Sequence, residues 1–327
     1  MATQADARKT RRRNTVTVVG VVLSIGATAA VGAALWGLLR TRNLPSEATI
    51  ATESAPPPTG GRIKWVGCDI SRASFIDAAV AAYSKKTGNV IEIEDGGATR
   101  GIRDVSAGSA HMGGSCRTAL DIPEERGVKL IPIAWDALVV VVHPTNPVSD
   151  ISLEQLRDVL EGSITNWKDL GGSDAPLDLF DRKGKLSGVG AGTRLLLFGD
   201  IDKDFSARAR IFDSTRPLEE AAETSPLSIA VTGISSARLR KLKMLSLEGK
   251  APTRDNVIRG QYLLYRPLYI TVPNEPDPIV TDFVNFLFSS DGEQIIHDTG
   301  TVTMAEGADL WAKYKSQVGA DLGAGGP

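Results

Sequence analysis

The sequence predicts an α/β protein, built as two domains or one large two-lobed unit and preceded by a single transmembrane helix. Its 327 residues correspond to about two domains at roughly 150 residues each. Beyond residue 62, short apolar segments typical of strands alternate with segments of helical periodicity, and this alternation predicts parallel sheets. Near the N-terminus, a 25-residue segment contains no charged residue, which predicts the membrane span.

The distribution of charge separates the N-terminal segment from the rest of the chain. Residues 1–14 carry +4, and Arg40 and Arg42 add +2, so that residues 43–327 carry −8 in a chain whose net charge is −2. A protein that binds nucleic acid presents a basic face, so this acidic part argues against a nucleic-acid partner. With 42% hydrophobic residues, the chain has enough apolar side chains for a buried core.

No sequence motif indicates a metal site, a cofactor or an active site. The three histidines and two cysteines lack the spacing of metal ligands. The sequence contains no nucleophile elbow, P-loop or zinc-protease motif, and the glycines at 188–192 fit the dinucleotide-binding pattern poorly. We therefore expect a protein that is not an enzyme and needs no cofactor.

The charge-free segment, residues 15–39, is long enough to cross a bilayer, for which about 20 apolar residues suffice. Five basic residues precede it and two follow, so residues 1–14 are predicted to be a cytoplasmic tail. We expect a single-pass protein of the cell membrane with an extracytoplasmic globular part. The alternative is a cleaved signal peptide, although its apolar core is usually only about 7–15 residues long.

A flexible linker is predicted over residues 40–61. Residues 43–61 are rich in Pro, Ser, Thr, Ala and Gly and show no hydrophobic period. Such a segment is a spacer that holds the globular part away from the membrane, and that part starts near Arg62.

The predicted elements then follow in order. Residues 63–67 predict a strand that ends in a turn at 68–71, residues 74–86 a helix, and residues 90–94 a second strand. A glycine turn at 96–99 leads into another helix. The β-branched segment 130–143 predicts a pair of buried strands. Further helices are predicted at 151–162, after a turn at 190–194, at 280–288 and within 289–300.

Five segments, in this order, are similar to those of one known family: YSKKTGNVIEIEDGGATRGIRDVSAGSAHMGGSCR (83–117), IAWDALVVVVHPTNPV (133–148), LEGSITNWKDLGG (160–172), GAGTR (190–194) and YLLYRPLYITV (262–272). The chain resembles the phosphate-binding proteins that serve bacterial ABC transporters, within the type II periplasmic binding proteins. The resemblance runs from about Lys64 to Met304.

The resemblance implies two α/β lobes joined by crossing strands, with a ligand clamped between them. Lobe 1 would comprise residues 62–143 and a return segment with the C-terminal tail at 262–327, and lobe 2 residues 144–261. Turns that enter helices would present backbone N–H groups to a small oxyanion, phosphate or a relative. The implied partner is an ABC permease or another membrane protein.

The residues at the implied ligand positions depart from the family pattern. The pair Ile70-Ser71 stands where a hydroxyl residue and an aromatic are expected, Ala98 and Cys116 replace a serine and a carboxylate, and Ala191 replaces a serine. The ligand positions implied by the resemblance are Ile70, Ser71, Ala98, Thr99, Cys116, Arg117, Ala191, Gly192, Thr193 and Arg194.

These departures predict weak phosphate binding. Each hydrogen bond to a charged group contributes about 1.5–3 kcal/mol, so losing three or four costs roughly 5–9 kcal/mol, or about four to six decades of affinity. Arginines next to the predicted turns (72, 100, 117 and 194) would suit a larger anion, unless they are solvated or pair with carboxylates. Arg182 would replace a missing arginine only if its loop is rearranged.

Three functions therefore stay open. The first is a membrane-anchored solute-binding protein with weak or altered anion binding. The second is a ligand-free derivative that acts as an extracytoplasmic interaction or sensing domain. The third, a hydrolase, is a remote alternative, because no catalytic motif is present in the sequence.

The resemblance also implies a disulfide between Cys68 and Cys116. These residues follow the first and third strands, which in the implied order are parallel neighbours with ends about 5 Å apart. That separation suits a disulfide, whose Cα atoms lie about 4.4–6.8 Å apart. The alternative is two buried thiols that pack as small apolar groups.

Overall fold

The computed structural model describes residues 60–318. The predicted cytoplasmic tail (1–14), the transmembrane helix (15–39) and nearly all of the linker (40–61) lie outside the described residues. Among residues 60–318, no helix is both long and apolar enough to cross a membrane.

The elements alternate between strand and helix as predicted. The strands are β1 Arg62–Gly67, β2 Val90–Asp95, β3 Met112–Ser115, β4 Val128–Val142, β5 Asp150–Ile151, β6 Asp178–Arg182, β7 Arg210–Phe212, β8 Ser228–Gly233, β9 Lys243–Met244, β10 Ser246–Leu247, β11 Tyr265–Pro273 and β12 Val302–Thr303. The α-helices are α1 Asp69–Ser71, α2 Asp77–Thr87, α3 Gly97–Ser106, α4 Leu153–Glu161, α5 Gly188–Phe198, α6 Thr215–Thr224, α7 Ile234–Ala237, α8 Arg254–Ile258, α9 Pro278–Leu287, α10 Ser290–Asp298 and α11 Leu310–Val318.

One ten-stranded sheet organises the fold. Its main path is β2-β1-β3-β11-β4-β8-β6-β7, with β12 and β9 paired to β4, while β5 and β10 form a separate two-stranded sheet. Strands β2, β1 and β3 are parallel, as are β8, β6 and β7. Two parallel groups therefore flank the antiparallel β11 and β4, and they are the sheets of a first and a second lobe.

Strand β4 belongs to both lobes, and the prediction of a strand pair at 130–143 was wrong. It is one strand of 15 residues, whose part up to Ala137 pairs with β11 and whose part from Leu138 onward pairs with β8. Residues 133–142 are all buried, and they contain no glycine or proline at which a hairpin would turn. A continuous strand keeps their backbone groups paired through the core of the molecule.

Two helices begin earlier than predicted. The predicted turn at 68–71 is the start of a helical segment that continues from α1 through a π-helical turn, Arg72–Ile76, into α2. The predicted turn at 190–194 lies inside α5, because the side chain of Ser187 accepts a hydrogen bond from the Gly190 N–H and caps the helix there. The helices predicted at 151–162, 280–288 and 289–300 are confirmed by α4, α9 and α10.

Glycines let α3 approach the sheet closely. A Cβ atom on Gly113 would lie 1.9 Å from the carbonyl oxygen of Gly101, so only a glycine in β3 leaves room for the α3 backbone. This contact places the N-terminal end of α3 beside the ends of β1 and β3.

Candidate ligand-binding cleft

A cleft of about 580 Å³ lies between the two lobes, at the carboxyl ends of the parallel strands. The first lobe contributes Cys68, Asp69, Ile70, Asp95, Gly96, Gly97, Ala98, Thr99 and Cys116. The second lobe contributes Arg182, Lys183, Gly184, Leu186, Ser187, Gly188, Val189, Asp213, Ser214, Thr215, Arg216 and Pro217.

Helices from both lobes begin at this cleft. The helical segment that starts with α1 has Cys68 as its N-cap, α3 starts at Gly97, α5 has Ser187 as its N-cap, and α6 has Ser214. The first turn of each helix leaves backbone N–H groups without helical partners and carries partial positive charge. The cleft is therefore suited to an anion.

The structure brings together four of the predicted ligand positions. Ile70, Ala98, Thr99 and Cys116 line the cleft. Ser71 lies buried behind them, with its Oγ 3.2 Å from the Cys68 Sγ.

The remaining predicted positions are not among the residues that line the cleft. Arg117 is buried behind its wall, and the predicted positions at 191–194 are buried inside α5. Because α5 starts at Gly188 rather than after residue 190, its first turn presents Ser187, Gly188 and Val189 to the cleft instead.

Protein groups already occupy the donors of Thr99 and Arg117. The Thr99 hydroxyl donates to the carbonyl oxygen of Leu186 in the second lobe (2.8 Å), and the Arg117 Nε donates to the same oxygen (3.0 Å). The other two nitrogens of Arg117 donate to the carboxylate of Glu125 at 2.7 and 2.8 Å. We call this cluster of Thr99, Arg117, Glu125 and Leu186 the interlobe latch.

Glu125 supplies the negative charge of the interlobe latch, and its carboxylate accepts two hydrogen bonds from Arg117. Its side chain is fully buried and also accepts from the backbone N–H of Leu120 at 2.9 Å. Burial opposes its ionisation, but the hydrogen bonds from Arg117 and Leu120 outweigh that effect and hold the pKa of Glu125 below its ordinary value. In the latch, the guanidinium nitrogens of Arg117 therefore all donate hydrogen bonds to protein acceptors.

The floor of the cleft is apolar and tightly packed. A Cβ atom on Gly188 would lie 2.1 Å from the Cys116 Sγ and 3.2 Å from the Ala98 Cβ, so the start of α5 rests directly on the first lobe. A Cβ atom on Gly233 would similarly lie 2.6 Å from the Cδ1 atom of Ile70. The floor side chains Ile70, Ala98 and Cys116 therefore supply no hydroxyl or carboxylate to a ligand.

Two guanidinium groups line the cleft from the second lobe: that of Arg216, which lies 3.9 Å from Asp95, and that of Arg182. Arg182 donates to the Thr215 hydroxyl (2.8 Å) and to the Asp213 carbonyl oxygen (3.1 Å), and its Nε is buried without a partner among residues 60–318. Burial lowers the pKa of Arg182, while Asp69 opposes that shift through space. Within the described part of the chain no carboxylate forms an ion pair with it, so Arg182 keeps capacity for an external anion.

The arginines considered as substitutes for lost ligands are used elsewhere. Arg72 pairs with Asp77 and Asp95, and Arg100 with Glu94 and Asp104. Arg194 donates to the Lys203 carbonyl oxygen, with its guanidinium 3.8 Å from the centre of the Phe205 ring. These arginines thus contact groups of the protein itself, as the interpretation without a larger anion requires.

Sequence reasoning missed Arg266. This residue of β11 is 1% exposed and donates to the carbonyl oxygens of Cys116, in the first lobe, and Gly188, in the second. Its guanidinium lies 3.6 Å from the carboxylate of Asp136. Burial raises the pKa of Asp136, although the positive charge of Arg266 opposes this shift. The available signal was an arginine in the otherwise apolar return strand, YLLYRPLYITV, since a buried charge needs partners.

Cys68 and Cys116 meet at the floor of the cleft. Strands β1 and β3 are parallel neighbours with Gly67 opposite Gly114, as the predicted order requires. The structure describes both cysteines as free thiols whose Sγ atoms are 3.4 Å apart. The disulfide stays a prediction, now with its two sulfur atoms in contact.

Comparison with known proteins places this architecture in a family. A family model described as the PBP superfamily domain matches residues 52–291, most of the chain. The chain belongs to the PBP superfamily. Relatives that are named phosphate-binding proteins confirm the resemblance found in the sequence.

Two such relatives are named phosphate-binding protein PstS. The protein from Borreliella burgdorferi is 27% identical over 73% of this chain and 89% of its own length. The protein from Bacillus subtilis is 26% identical over 66% of this chain and 72% of its own length.

Solved structures share the PBP fold. A putative phosphate ABC transporter substrate-binding protein from Clostridium perfringens, with bound phosphate, has a TM-score of 0.69 at 23% identity, over 74% of this chain and 99% of its own. An ABC-type phosphate transport receptor from Vibrio cholerae has a TM-score of 0.60 at 24% identity, over 74% of this chain and 100% of its own. The two-lobed α/β prediction is thereby confirmed.

Proposed function

We propose that this protein is an extracytoplasmic solute-binding protein that presents a small anion to an ABC permease or another membrane protein. Residues 15–39 anchor it in the cell membrane and residues 40–61 are the spacer. The lobes are residues 62–143 with 262–327, and residues 144–261. As in its named relatives, the function is binding rather than catalysis.

The observation that carries this proposal is the set of anion-binding groups around the cleft. Helices of both lobes start there, and Arg182 faces it without a carboxylate partner among residues 60–318. Groups from two lobes that converge on one anion are the arrangement expected of a protein that closes around its ligand.

Binding of inorganic phosphate is proposed to be weak. The floor residues Ile70, Ala98 and Cys116 supply no strong donor or acceptor, and the interlobe latch already uses the donors of Thr99 and Arg117. A phosphate would have to replace those contacts or forgo them. Either route loses hydrogen bonds that contribute about 1.5–3 kcal/mol each to a charged partner.

The second candidate is a ligand-free interaction or sensing domain. The interlobe latch favours it, because Thr99 and Arg117 join the lobes through the Leu186 carbonyl oxygen, using protein groups alone. A domain that closes in this way would present the same surface to a partner at any concentration of solute.

Calorimetric titration of the full-length protein in mild detergent distinguishes the two functions. With inorganic phosphate, sulfate and glycerol phosphate as probes, we expect millimolar binding of at least one of them, and for phosphate millimolar binding or none. Replacing Arg182 by glutamine should weaken any anion binding at least about tenfold, since one hydrogen bond to a charged group is worth about 1.5–3 kcal/mol. The matched control is Arg208→Gln, an exposed arginine that does not line the cleft.

Submicromolar phosphate binding would contradict the proposal of a weakened site. No heat with any of the three anions, in a protein that unfolds cooperatively, would favour the ligand-free alternative.

The membrane anchor has its own test. Protease added to intact cells should remove the globular part and leave a short membrane-bound fragment, because residues 15–39 contain no charge and follow a basic segment. A cytoplasmic protein in the same cells serves as the control and should stay intact. A mature protein free in the medium that begins near Ala30 would contradict the anchor and indicate a cleaved signal peptide.

A further inference from the structure

The two thiols at the floor of the cleft have a geometry that ligand binding does not require. Their Sγ atoms are 3.4 Å apart, and both residues line a cleft that is open to small molecules from outside. Buried cysteines elsewhere in proteins are usually inert, since they lack access and groups that stabilise a thiolate. Here the cleft provides access, and the Ser71 N–H and hydroxyl next to Cys68 can stabilise a thiolate.

Cys68 is placed to carry the negative charge. Its Sγ lies 3.4 Å from the backbone nitrogen of Ser71 and 3.2 Å from the Ser71 hydroxyl, at the start of the helical segment that runs to Thr87. The Sγ of Cys116 lies 3.4 Å from the Sγ of Cys68, at hydrogen-bond distance. This hydrogen bond, opposed by burial and assisted by Ser71, lowers the pKa of Cys68 to about 7.

Charged groups on β4, β6 and β11 act on this pair. Arg266 on β11 and Arg182 on β6 favour a thiolate, while Asp136 on β4 raises the pKa of Cys116. Asp69 lies next to Cys68 in the chain. The hydrogen bond to Cys68, together with burial, holds the pKa of Cys116 well above its ordinary value.

Access also separates the two sulfurs. Cys116 is 2% exposed and Gly188 of α5 packs against its Sγ, whereas Cys68 is 6% exposed. Because Gly188 covers the Cys116 Sγ, we expect an incoming molecule to reach Cys68 first.

We propose that Cys68 and Cys116 are a redox-active pair that exchanges with small disulfides entering the cleft, with Cys68 as the attacking thiolate and Cys116 as the resolving thiol. The Cys68 thiolate attacks one sulfur of the small disulfide, its S–S bond breaks, and one thiolate leaves. Cys116 then loses its proton and attacks the Cys68 Sγ of the mixed disulfide, which releases the second thiolate. The two leaving thiolates take up the two protons, so the protein dithiol is oxidised by two electrons and the small disulfide is reduced to two thiols.

The experiment uses the reduced full-length protein and oxidised glutathione. Samples are quenched with acid at intervals, alkylated and weighed by intact-mass spectrometry. The wild type should lose two hydrogens and both alkylation sites in one step. Its rate should rise as the pH is raised through about 7, following the pKa of Cys68.

Single variants assign the roles. Cys116→Ser should accumulate one glutathionyl group, on Cys68, because the resolving thiol is missing. Cys68→Ser should react at Cys116 at least about tenfold more slowly, since burial and Asp136 still raise the pKa of Cys116 and Gly188 packs against its sulfur. Ser71→Ala keeps both cysteines and should slow the wild-type reaction several-fold, which keeps the test valid if a cysteine variant does not fold.

Three results would overturn the proposal. One is a wild type whose two thiols stay alkylatable in oxidised glutathione while the urea-unfolded chain is oxidised. The others are equal rates for the two cysteine variants and no effect of Ser71→Ala. None of these measurements uses phosphate, sulfate or glycerol phosphate, and their readout is the state of the thiols, so their outcome is separate from that of the titration with phosphate.

Discussion

Replacing Glu125 by glutamine should lower the free energy of unfolding by about 3–5 kcal/mol, the usual cost of breaking a buried ion pair from one side. The side chains of Glu125 and Arg117 are 0% and 2% exposed, and two hydrogen bonds join them. The amide removes the negative charge and leaves the Arg117 guanidinium buried with no compensating charge. Urea unfolding followed by circular dichroism measures the change.

Glu124 is the matched control for this variant. It precedes Glu125 in the same 3₁₀ turn, Pro123–Glu125, and its side chain is exposed. Glu124→Gln should change the free energy of unfolding by no more than about 0.5 kcal/mol. Equal effects at the two positions would show that the interlobe latch contributes nothing through its charge.

The same ion pair adds a dependence on pH. Because the pKa of Glu125 is below its ordinary value in the folded protein, the stability that it contributes is present at neutral pH. That contribution is lost as the pH falls from the ordinary pKa of a glutamate through the lower pKa of Glu125. Between those two pH values, the free energy of unfolding of Glu125→Gln should therefore fall less than that of the wild type, and urea unfolding at a series of pH values measures the difference.

Oxidation of Cys68 and Cys116 to a disulfide should raise the free energy of unfolding by about 4 kcal/mol. The cysteines are 48 positions apart, and the chain-entropy relation for a closed loop of that length yields this value. The effect acts on the unfolded chain, which loses conformations when the two ends of the loop are joined. Urea unfolding with and without reductant measures the difference.

The control for the disulfide is the double variant Cys68→Ser/Cys116→Ser, whose unfolding should not respond to reductant. Protein isolated from its own compartment without reductant should resist alkylation of both cysteines. Two thiols that alkylate fully under those conditions, before any reducing agent is added, would contradict the disulfide.

Local sequence patterns were sufficient for much of the fold. The alternation of apolar strands and amphipathic helices predicted β1, β2, α3, α4, α9 and α10, because these patterns depend on residues a few positions apart. In α4, for example, Ser152 and Gln155 form a capping box that is readable from the sequence alone. The same segments carried the resemblance to the phosphate-binding family.

The site depended on contacts that no local pattern contains. The start of α5 at Gly188 follows from the cap of Ser187 and from packing against Cys116, a residue of the other lobe. The hydrogen bond from Thr99 to Leu186 spans 87 positions. Such pairs form only when the lobes meet, so the sequence could place Thr99 at a turn without showing that its hydroxyl is already used.

The sequence by itself determined the α/β architecture, the family and the absence of polar side chains at Ile70, Ala98 and Cys116, the positions at which the resemblance implies a ligand, because residue types and short spacings carry that information. Only the tertiary structure decided that β4 is one strand shared by both lobes, that Arg266 lies buried beneath the cleft, and that Arg182 faces it. The direction of a side chain and the partner that it meets are set by packing between distant segments. A guanidinium that is one more basic residue in the sequence is, in the fold, part of the interlobe latch (Arg117), buried between the lobes (Arg266) or exposed to the cleft (Arg182).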